Sequence, residues 1–218
     1  MTRLFGQSHR ELQDSFESRD LADRIEEIAL KSEFDDMTRG FVESRDMFFL
    51  ATTDHQGRPT CSYKGGDSGF VRVTGPSTLI FPSYNGNGMY LSMGNIAETK
   101  QVGMLFIDFE TPNRLRIQGE AELSDDPVLL AGYDEAELVV RVNVTEIWPN
   151  CPRYVHRYTK AETSRYVPRK ACETPVAEWK RVDTVQDVIG ENERHKVEKA
   201  GGTITQEEWF EAVGRGEG

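Results

Sequence analysis

The stretch from Phe48 to Gly119 constrains the fold most, because short runs of β-forming residues alternate in it with turn residues. The turn Asp54-His55-Gln56-Gly57 ends in a glycine, which readily takes the positive φ that a hairpin needs. Strands of this length and spacing predict a small antiparallel barrel. The predicted strands are 47–53, 59–64, 70–74, 78–81, 103–109 and 114–123, followed by a further run at 137–147.

Pro82 is expected to end the fourth of these strands, since proline donates no hydrogen bond to a strand ladder. A Gly/Asn-rich link follows, and residues 89–102 are predicted to form a helix whose N-terminus borders that link. A helix N-terminus beside a glycine-rich link is where a phosphate group is expected.

Charged, helix-forming segments precede the barrel. Residues 11–34 are predicted to be helical, with Leu21, Ile25 and Ile28 forming a narrow apolar stripe. A second helix is expected from Asp35 or Asp36 to Ser44, with these aspartates as the N-cap. Both helices are predicted to pack across one end of the barrel. The predicted fold class is therefore mainly β with peripheral helices (α+β).

The chain divides into three predicted parts. Residues 1–34 form an N-terminal helical extension and residues 35–160 form the barrel domain. From residue 161 the composition shifts to loops and charged segments, so residues 161–218 are expected to be a C-terminal extension or arm. An amphipathic piece at 206–213 indicates a helix in that tail.

The net charge of −11 argues against nucleic acid as a partner, because binding to a phosphate backbone needs clustered lysines and arginines. An anionic ligand must be held by a local group of cations and backbone N–H groups, against the field of the whole protein. No run has the length of a membrane span, and no leader pattern is recognisable at the N-terminus. We therefore expect a cytoplasmic protein with no membrane partner.

Cysteine and histidine do not suggest a metal site. The three cysteines and four histidines are scattered without the paired spacing of metal ligands, and the cysteines are too few for a disulfide framework. No side chain stands out as a catalytic acid or base. The sequence therefore predicts neither a metal nor identifiable catalytic residues.

Three segments place polar or basic side chains beside glycine or at a helix start: residues 62–66, residues 87–95, and the pair Arg114 and Arg116. Each one alone is typical of a strand edge, a turn or a hydrated sheet face. Together, a helix N-terminus and two or three cations indicate a phosphate site. The backbone beside Gly65-Gly66 is open to a flat ring.

A series of short motifs occurs in a fixed order along the chain: FLAT at 49–52, DHQGRP at 54–59, SYKGG at 62–66, GFV at 69–71, GN at 86–87, LRIQGEA at 115–121 and PNCPRY at 149–154. Ser92 and Asn95-Ile96 belong to the same pattern. The order of these motifs resembles the pyridoxamine 5′-phosphate oxidase-like (PNPOx-like), FMN-binding split-barrel family, over about residues 35–158. Within that family the chain is closer to the uncharacterised FMN-binding branch than to the vitamin B6 enzymes.

The resemblance implies a six-stranded antiparallel split β-barrel that forms a homodimer, with one FMN in each of two clefts between the subunits. It implies that FMN contacts come from the second strand, the fourth strand, the phosphate-binding link and helix, and two arginines. The residues so implied are Ser62, Tyr63, Lys64, Gly65, Phe81, Pro82, Asn87, Ser92, Asn95, Arg114 and Arg116.

Two departures separate the chain from the B6 oxidases. Those enzymes carry an Arg-Lys pair at the phosphate helix, where this chain reads Leu91-Ser92. Their C-terminal Trp and Arg motif is not reproduced around residues 148–158. The resemblance therefore implies an FMN-dependent oxidoreductase acting on a small molecule other than pyridoxamine phosphate.

Other functions stay open at this point. One alternative is a flavin-binding or storage module without turnover. Without the Arg-Lys pair, the phosphate site has fewer cations than that of the B6 oxidases, so a deazaflavin is a second alternative as the cofactor. A haem-binding split barrel is the third alternative, with His156 or His195 as the iron ligand.

Overall fold

In the computed structural model, which describes residues 2–170 and 172–216, an antiparallel sheet organises the first of two units, Met1–Ala161. Its order is β2-β1-β5-β6-β7-β4-β3. The edge strands β2 and β3 do not pair with each other within the described part of the chain, so the sheet is not closed. The strands are β1 Met47–Thr53, β2 Pro59–Gly65, β3 Arg72–Gly75, β4 Thr78–Tyr84, β5 Gln101–Asp108, β6 Asn113–Ser124 and β7 Ala136–Asn150.

The antiparallel, mainly β fold with helices is confirmed, but the expected count of six strands is wrong. The described sheet has seven strands. The run predicted at 137–147 forms β7, which is long enough to pair with both β6 and β4. It thereby joins the short β3–β4 hairpin to the rest of the sheet.

The prediction that Pro82 ends the fourth strand is also wrong. β4 continues to Tyr84, and Pro82 stands opposite Val139 of β7. The reason is the short length of β3, whose pairing with β4 ends at Ile80. Beyond Ile80 one side of β4 has no neighbouring strand, so the missing N–H of proline breaks no ladder hydrogen bond there.

The N-terminal segment forms two helices rather than the single helical stretch predicted at 11–34. Glu17, in the break between them, has φ 51°, a left-handed conformation that ends a helix. The stripe of Leu21, Ile25 and Ile28 is 63%, 48% and 69% exposed, so the prediction that it packs against the barrel is wrong. The helices are α1 Gln7–Ser15, α2 Arg19–Ala29, α3 Asp36–Glu43, α4 Leu91–Thr99, α5 Pro127–Leu130, α6 Glu191–Lys199 and α7 Gln206–Gly214.

The predicted helix after Asp35 is confirmed. The Asp35 carboxylate accepts the N–H of Thr38 at 2.8 Å, the contact expected of an N-cap. Val42, on the inner face of α3, is fully buried in the core. The core itself alternates along the strands: Phe48 is fully buried, and its ring lies 5.0 Å from the rings of both Phe81 and Phe106.

The second unit, Glu162–Gly218, has its own small interior. Val176, Val182 and Val197 are buried in it. Its helix α7 confirms the amphipathic helix predicted at 206–213. Short 3₁₀ turns at Glu178–Arg181 and Asp183–Val185 complete this unit. Among the described residues of the whole chain, no helix has the length and apolar character needed to span a membrane.

Candidate functional site

A pocket of about 270 Å³ lies between β2, the end of β4 and the start of α4. β2 is an edge strand of the sheet, and the N-terminal end of α4 lies beside it. The residues that line it come from 60–64, from Ser83 and Tyr84, and from the link and helix start at 86–93.

Helix α4 is attached to β2 through polar side chains. The hydroxyls of Ser62 and Ser92 lie 3.0 Å apart. The buried amide of Asn95 donates to the hydroxyls of Thr52 and Thr60, at 3.0 and 3.4 Å. These directional contacts hold the helix across the strands while its N-terminal end borders the pocket.

Lys64 is the charged residue of this pocket. Strand alternation places it on the same face of β2 as Ser62, opposite Phe48 and Leu50 of β1. Burial lowers the pKa of Lys64. Within the described residues its ammonium group makes no hydrogen bond or ion pair, and none of the residues lining the pocket is an aspartate or glutamate. Its positive charge is therefore uncompensated by the chain.

The first turn of α4 adds backbone donors. The N-cap residue Tyr90 is left-handed, with φ 48°, and no side chain caps the helix. Leu91, Ser92 and Met93, the first three residues of the helix, all line the pocket. A nine-residue helix presents free N–H groups and the positive end of its dipole at this terminus.

One carboxylate holds both ends of the link before α4. Glu137 of β7 accepts the Asn85 amide at 2.8 Å on one oxygen and the Tyr90 hydroxyl at 2.8 Å on the other. This hydrogen bond raises the pKa of Tyr90, because it favours the protonated phenol. Between these two points, the Asn87 side chain accepts the N–H of Met89 at 3.1 Å. The pocket wall formed by the link is thus braced against the sheet.

The structure brings together part of the predicted site. Ser62, Lys64, Asn87 and Ser92 all line this pocket. Asn95 lies behind them, buried against β1 and β2. The other predicted residues lie elsewhere in this subunit.

Tyr63 and Gly65 belong to a different surface. Tyr63 points to the opposite face of β2 and is 60% exposed, with its ring 6.2 Å from that of Phe49. Burial and the nearby carboxylate of Asp46 raise the pKa of Tyr63. A Cβ built on Gly65 would lie 2.7 Å from the Tyr63 ring, so this glycine gives the ring space to lie over the strand.

Phe81 and Pro82 are buried, and neither lines the pocket. The Phe81 side chain belongs to the core. The next two residues, Ser83 and Tyr84, do line the pocket, as does Thr60. Sequence reasoning missed Ser83 and Tyr84 because it ended β4 too early; continuing the strand past Pro82 would have found them.

The two arginines of β6 lie outside the pocket that contains Lys64. The Arg114 guanidinium donates to the Cys151 carbonyl from Nε and Nη2, at 3.1 and 2.8 Å, and borders a second cavity. Arg116 is exposed on the outer face of the sheet, opposite Leu105 on one side and Trp148 on the other. Neither arginine lines the first pocket.

The first pocket has the chemistry of an anion site. A desolvated ammonium, two hydroxyls and an uncapped helix N-terminus are suited to a phosphate group. Its lining residues include no Asp, Glu or His for proton transfer. Among the described residues, no group of three or more His, Cys, Asp or Glu side chains is placed to hold a metal ion.

Comparison with curated proteins found no match. Among solved structures, HupZ from Group A Streptococcus is 16% identical with a TM-score of 0.45, over 58% of this chain and 99% of that one. An FMN-binding protein from Syntrophomonas wolfei is 12% identical with a TM-score of 0.43, over 64% and 97%. HutZ, the haem storage protein from Vibrio cholerae, is 17% identical with a TM-score of 0.38, over 53% and 94%. At these scores the likenesses carry no argument about function.

The sequence itself assigns the family. The family model described as pyridoxamine 5′-phosphate oxidase matches residues 34–151, which is more than half of the chain. The match contains the β2 strand, the link and helix α4, and therefore every residue that lines the first pocket. By this match the chain belongs to the pyridoxamine 5′-phosphate oxidase family.

Proposed function

We propose that the protein is an FMN-dependent oxidoreductase acting on a small molecule, and that the pocket between β2 and α4 holds the phosphate end of FMN. The observation that carries this proposal is the uncompensated charge of Lys64 in a pocket lined by no carboxylate. Burial disfavours the charged form of an unpaired lysine, and an anion bound beside Lys64 would offset that cost.

The residues of the pocket fit a phosphate monoester. Lys64 supplies the charge, Ser62 and Ser92 supply hydroxyl donors, and the first turn of α4 supplies backbone N–H groups. Asn87 shapes the link above them. These contacts bind and orient the phosphate without an Arg-Lys pair, so we expect weaker retention than two further cations would give.

Bound FMN would supply the electron-transfer chemistry, and the chain would supply orientation and exclusion of water. Tyr84 is half-buried at the pocket, and burial raises its pKa, so its hydroxyl stays protonated and can donate a hydrogen bond.

We further propose that the flavin lies between two copies of the chain. Arg116, which does not line the pocket, would then contact the cofactor from the partner subunit. A flavin contact of Arg114 stays a prediction, because its guanidinium donates to the Cys151 carbonyl at a second cavity. The predicted contacts of Tyr63, Gly65, Phe81 and Pro82 would be made from outside the pocket described above, with Phe81 contributing its backbone, since its side chain is fully buried.

Lys64→Gln tests the proposal. We expect the FMN dissociation constant to rise about tenfold or more, because a charge-assisted contact to phosphate is lost. Riboflavin, which lacks the phosphate, should bind both proteins alike. Flavin fluorescence quenching measures both affinities. The matched control is Arg24→Gln, which removes a cation from an exposed position of α2.

The proposal fails if the purified protein neither carries FMN nor binds it when it is added. It also fails if Lys64→Gln weakens riboflavin as much as FMN, since Lys64 would then not act through the phosphate. Loss of FMN affinity in Arg24→Gln would instead indicate that the net charge of the whole protein, and not a local contact, controls FMN binding.

One observation favours a flavin-binding or storage module as the second candidate: the pocket lining contains no aspartate, glutamate or histidine to transfer a proton. This alternative predicts bound FMN that NADH and NADPH do not reduce, with no turnover when an acceptor is added. Stopped-flow absorbance of the flavin separates the two functions. A deazaflavin in this pocket, and haem bound through His156 or His195, remain predictions; neither histidine lines the pocket.

A further inference from the structure

A second cavity, of about 280 Å³, lies where α2 and α3 meet the start of β6 and the end of β7. Its walls are largely apolar, with Ala29, Phe41, Leu115 and Ile147 among them. It shares no lining residue with the pocket between β2 and α4. The cavity is therefore a separate feature of the subunit.

The two cations of this cavity differ in whether an acidic side chain pairs with them. Lys31 and Arg114 line it, and no aspartate or glutamate does. Lys31 is paired with the carboxylate of Asp35. Arg114 donates twice to the neutral carbonyl of Cys151 and, in the part of the chain that the structure describes, has no carboxylate partner. One positive charge at the cavity is thus left uncompensated in an acidic protein.

Apolar side chains surround the mouth of the cavity. Ile28 and Met37, both lining residues, are 69% and 73% exposed. Ile28 belongs to the exposed apolar stripe of α2, and Met37 lies on α3. Large exposed apolar side chains beside a cavity indicate a surface that binds something.

We propose that this cavity binds a small carboxylate with an apolar body. The hydrocarbon part would lie against Ile28, Leu115 and Ile147, and the carboxylate would pair with Arg114. The remaining N–H groups of the guanidinium match the two oxygens of a carboxylate. At roughly 30 Å³ per small group, the cavity takes on the order of ten non-hydrogen atoms, which is the size of octanoate.

Isothermal titration of the full-length protein with sodium octanoate, at fixed ionic strength, tests the proposal. We expect one octanoate per chain, and weaker binding of 1-octanol, which has the same chain without the charge. Arg114→Gln should weaken octanoate about tenfold, because it removes the charge while keeping a donor for the Cys151 carbonyl. Arg141→Gln, an equal charge change at an exposed position of β7 outside both cavities, should leave the affinity unchanged.

Ala29→Leu is a second variant that does not alter charge. It extends a lining residue of α2 into the cavity and should abolish octanoate binding, while FMN binding at the other pocket reports that the fold is kept. Absence of saturable octanoate binding to the unmodified protein would overturn the proposal. So would equal affinities for octanoate and octanol, an equal loss in Arg141→Gln, or competition between octanoate and FMN, which would make the cavity part of the flavin cleft.

Discussion

Lys64 and Arg114 show how the surroundings of a cation decide what it does. Lys64 lies among hydroxyls and backbone donors, where burial lowers its pKa and a phosphate would restore its charge balance. Arg114 lies beside apolar side chains and a carbonyl oxygen. We therefore expect Lys64 to favour a phosphate group and Arg114 to favour a carboxylate with an apolar body.

Position 119 requires glycine because a larger residue would collide with the backbone of the neighbouring strand, which cannot move aside as a flexible side chain can. A Cβ there would lie 2.4 Å from the carbonyl oxygen of Asn143, at the irregularity in β6–β7 pairing. We expect Gly119→Ala to lower the free energy of unfolding by about 3 kcal/mol, since the strand must shift to accept the methyl group. Urea denaturation measures the loss.

The control for that prediction is Gly103→Ala on the neighbouring strand β5. A Cβ at Gly103 would lie 3.7 Å from the side chain of Ala51, an ordinary contact, so we expect a change within about 1 kcal/mol. Equal free energies of unfolding for the two variants would contradict the prediction, because the strands would then accept the methyl group at position 119 without loss of stability.

At the scale of elements, the pocket depends on how α4 is held. The Ser62–Ser92 and Asn95–Thr52 contacts join one side of α4 to β2 and β1 through polar groups, while Met93 and Ile96 of the same helix are buried in the core. The link before α4 adds the remaining wall, braced by Glu137 of β7. The pocket is thus built from three elements that are far apart in the chain.

Glu137→Ala tests the brace. Both ends of the link lose their acceptor, so the link must be ordered when the ligand binds, and we expect FMN affinity to fall about fivefold through faster dissociation. Glu137→Gln keeps an acceptor for one of the two donors and should recover part of the affinity. Stopped-flow fluorescence separates the rates; an unchanged dissociation rate in Glu137→Ala would show that the brace does not matter.

At the scale of the whole molecule, the outer face of the sheet has the character of an interface. Tyr63, Phe49, Leu105, Arg116 and Trp148 stand in one row across five strands, in register from β2 to β7. The row is aromatic and aliphatic, with one arginine. We expect this surface to be the contact with a second copy of the chain.

Leu105→Lys tests the dimer. A charge in the centre of the row should separate the subunits, and FMN affinity should fall with them if the flavin lies between two copies. Val128→Lys, at a position of α5 that is 81% exposed, is the control and should change neither property. Analytical ultracentrifugation measures the state. An unmodified protein that is monomeric and yet binds FMN would contradict the shared cleft.

Much of the fold was predictable because strand patterns are local. The alternation around Phe48 and the turn after Thr53 are readable from neighbouring residues, and β1 runs where it was predicted. Pro82 was misjudged because its tolerance depends on the length of β3, a property of another segment. The α2 stripe was misjudged for a similar reason: periodicity shows that a face is apolar but not what covers it.

The sequence by itself determined the approximate position of the strands, the family, and the order of the motifs that contain Lys64 and the Gly/Asn-rich link. Each of these depends on residues that are close together in the chain. Only the tertiary structure decided which polar groups share a pocket. It placed Ser83 and Tyr84 beside Lys64, bound the link to Glu137, and assigned Arg114 to a separate cavity. Distances between segments depend on strand order and register, which the pattern of any one segment does not contain.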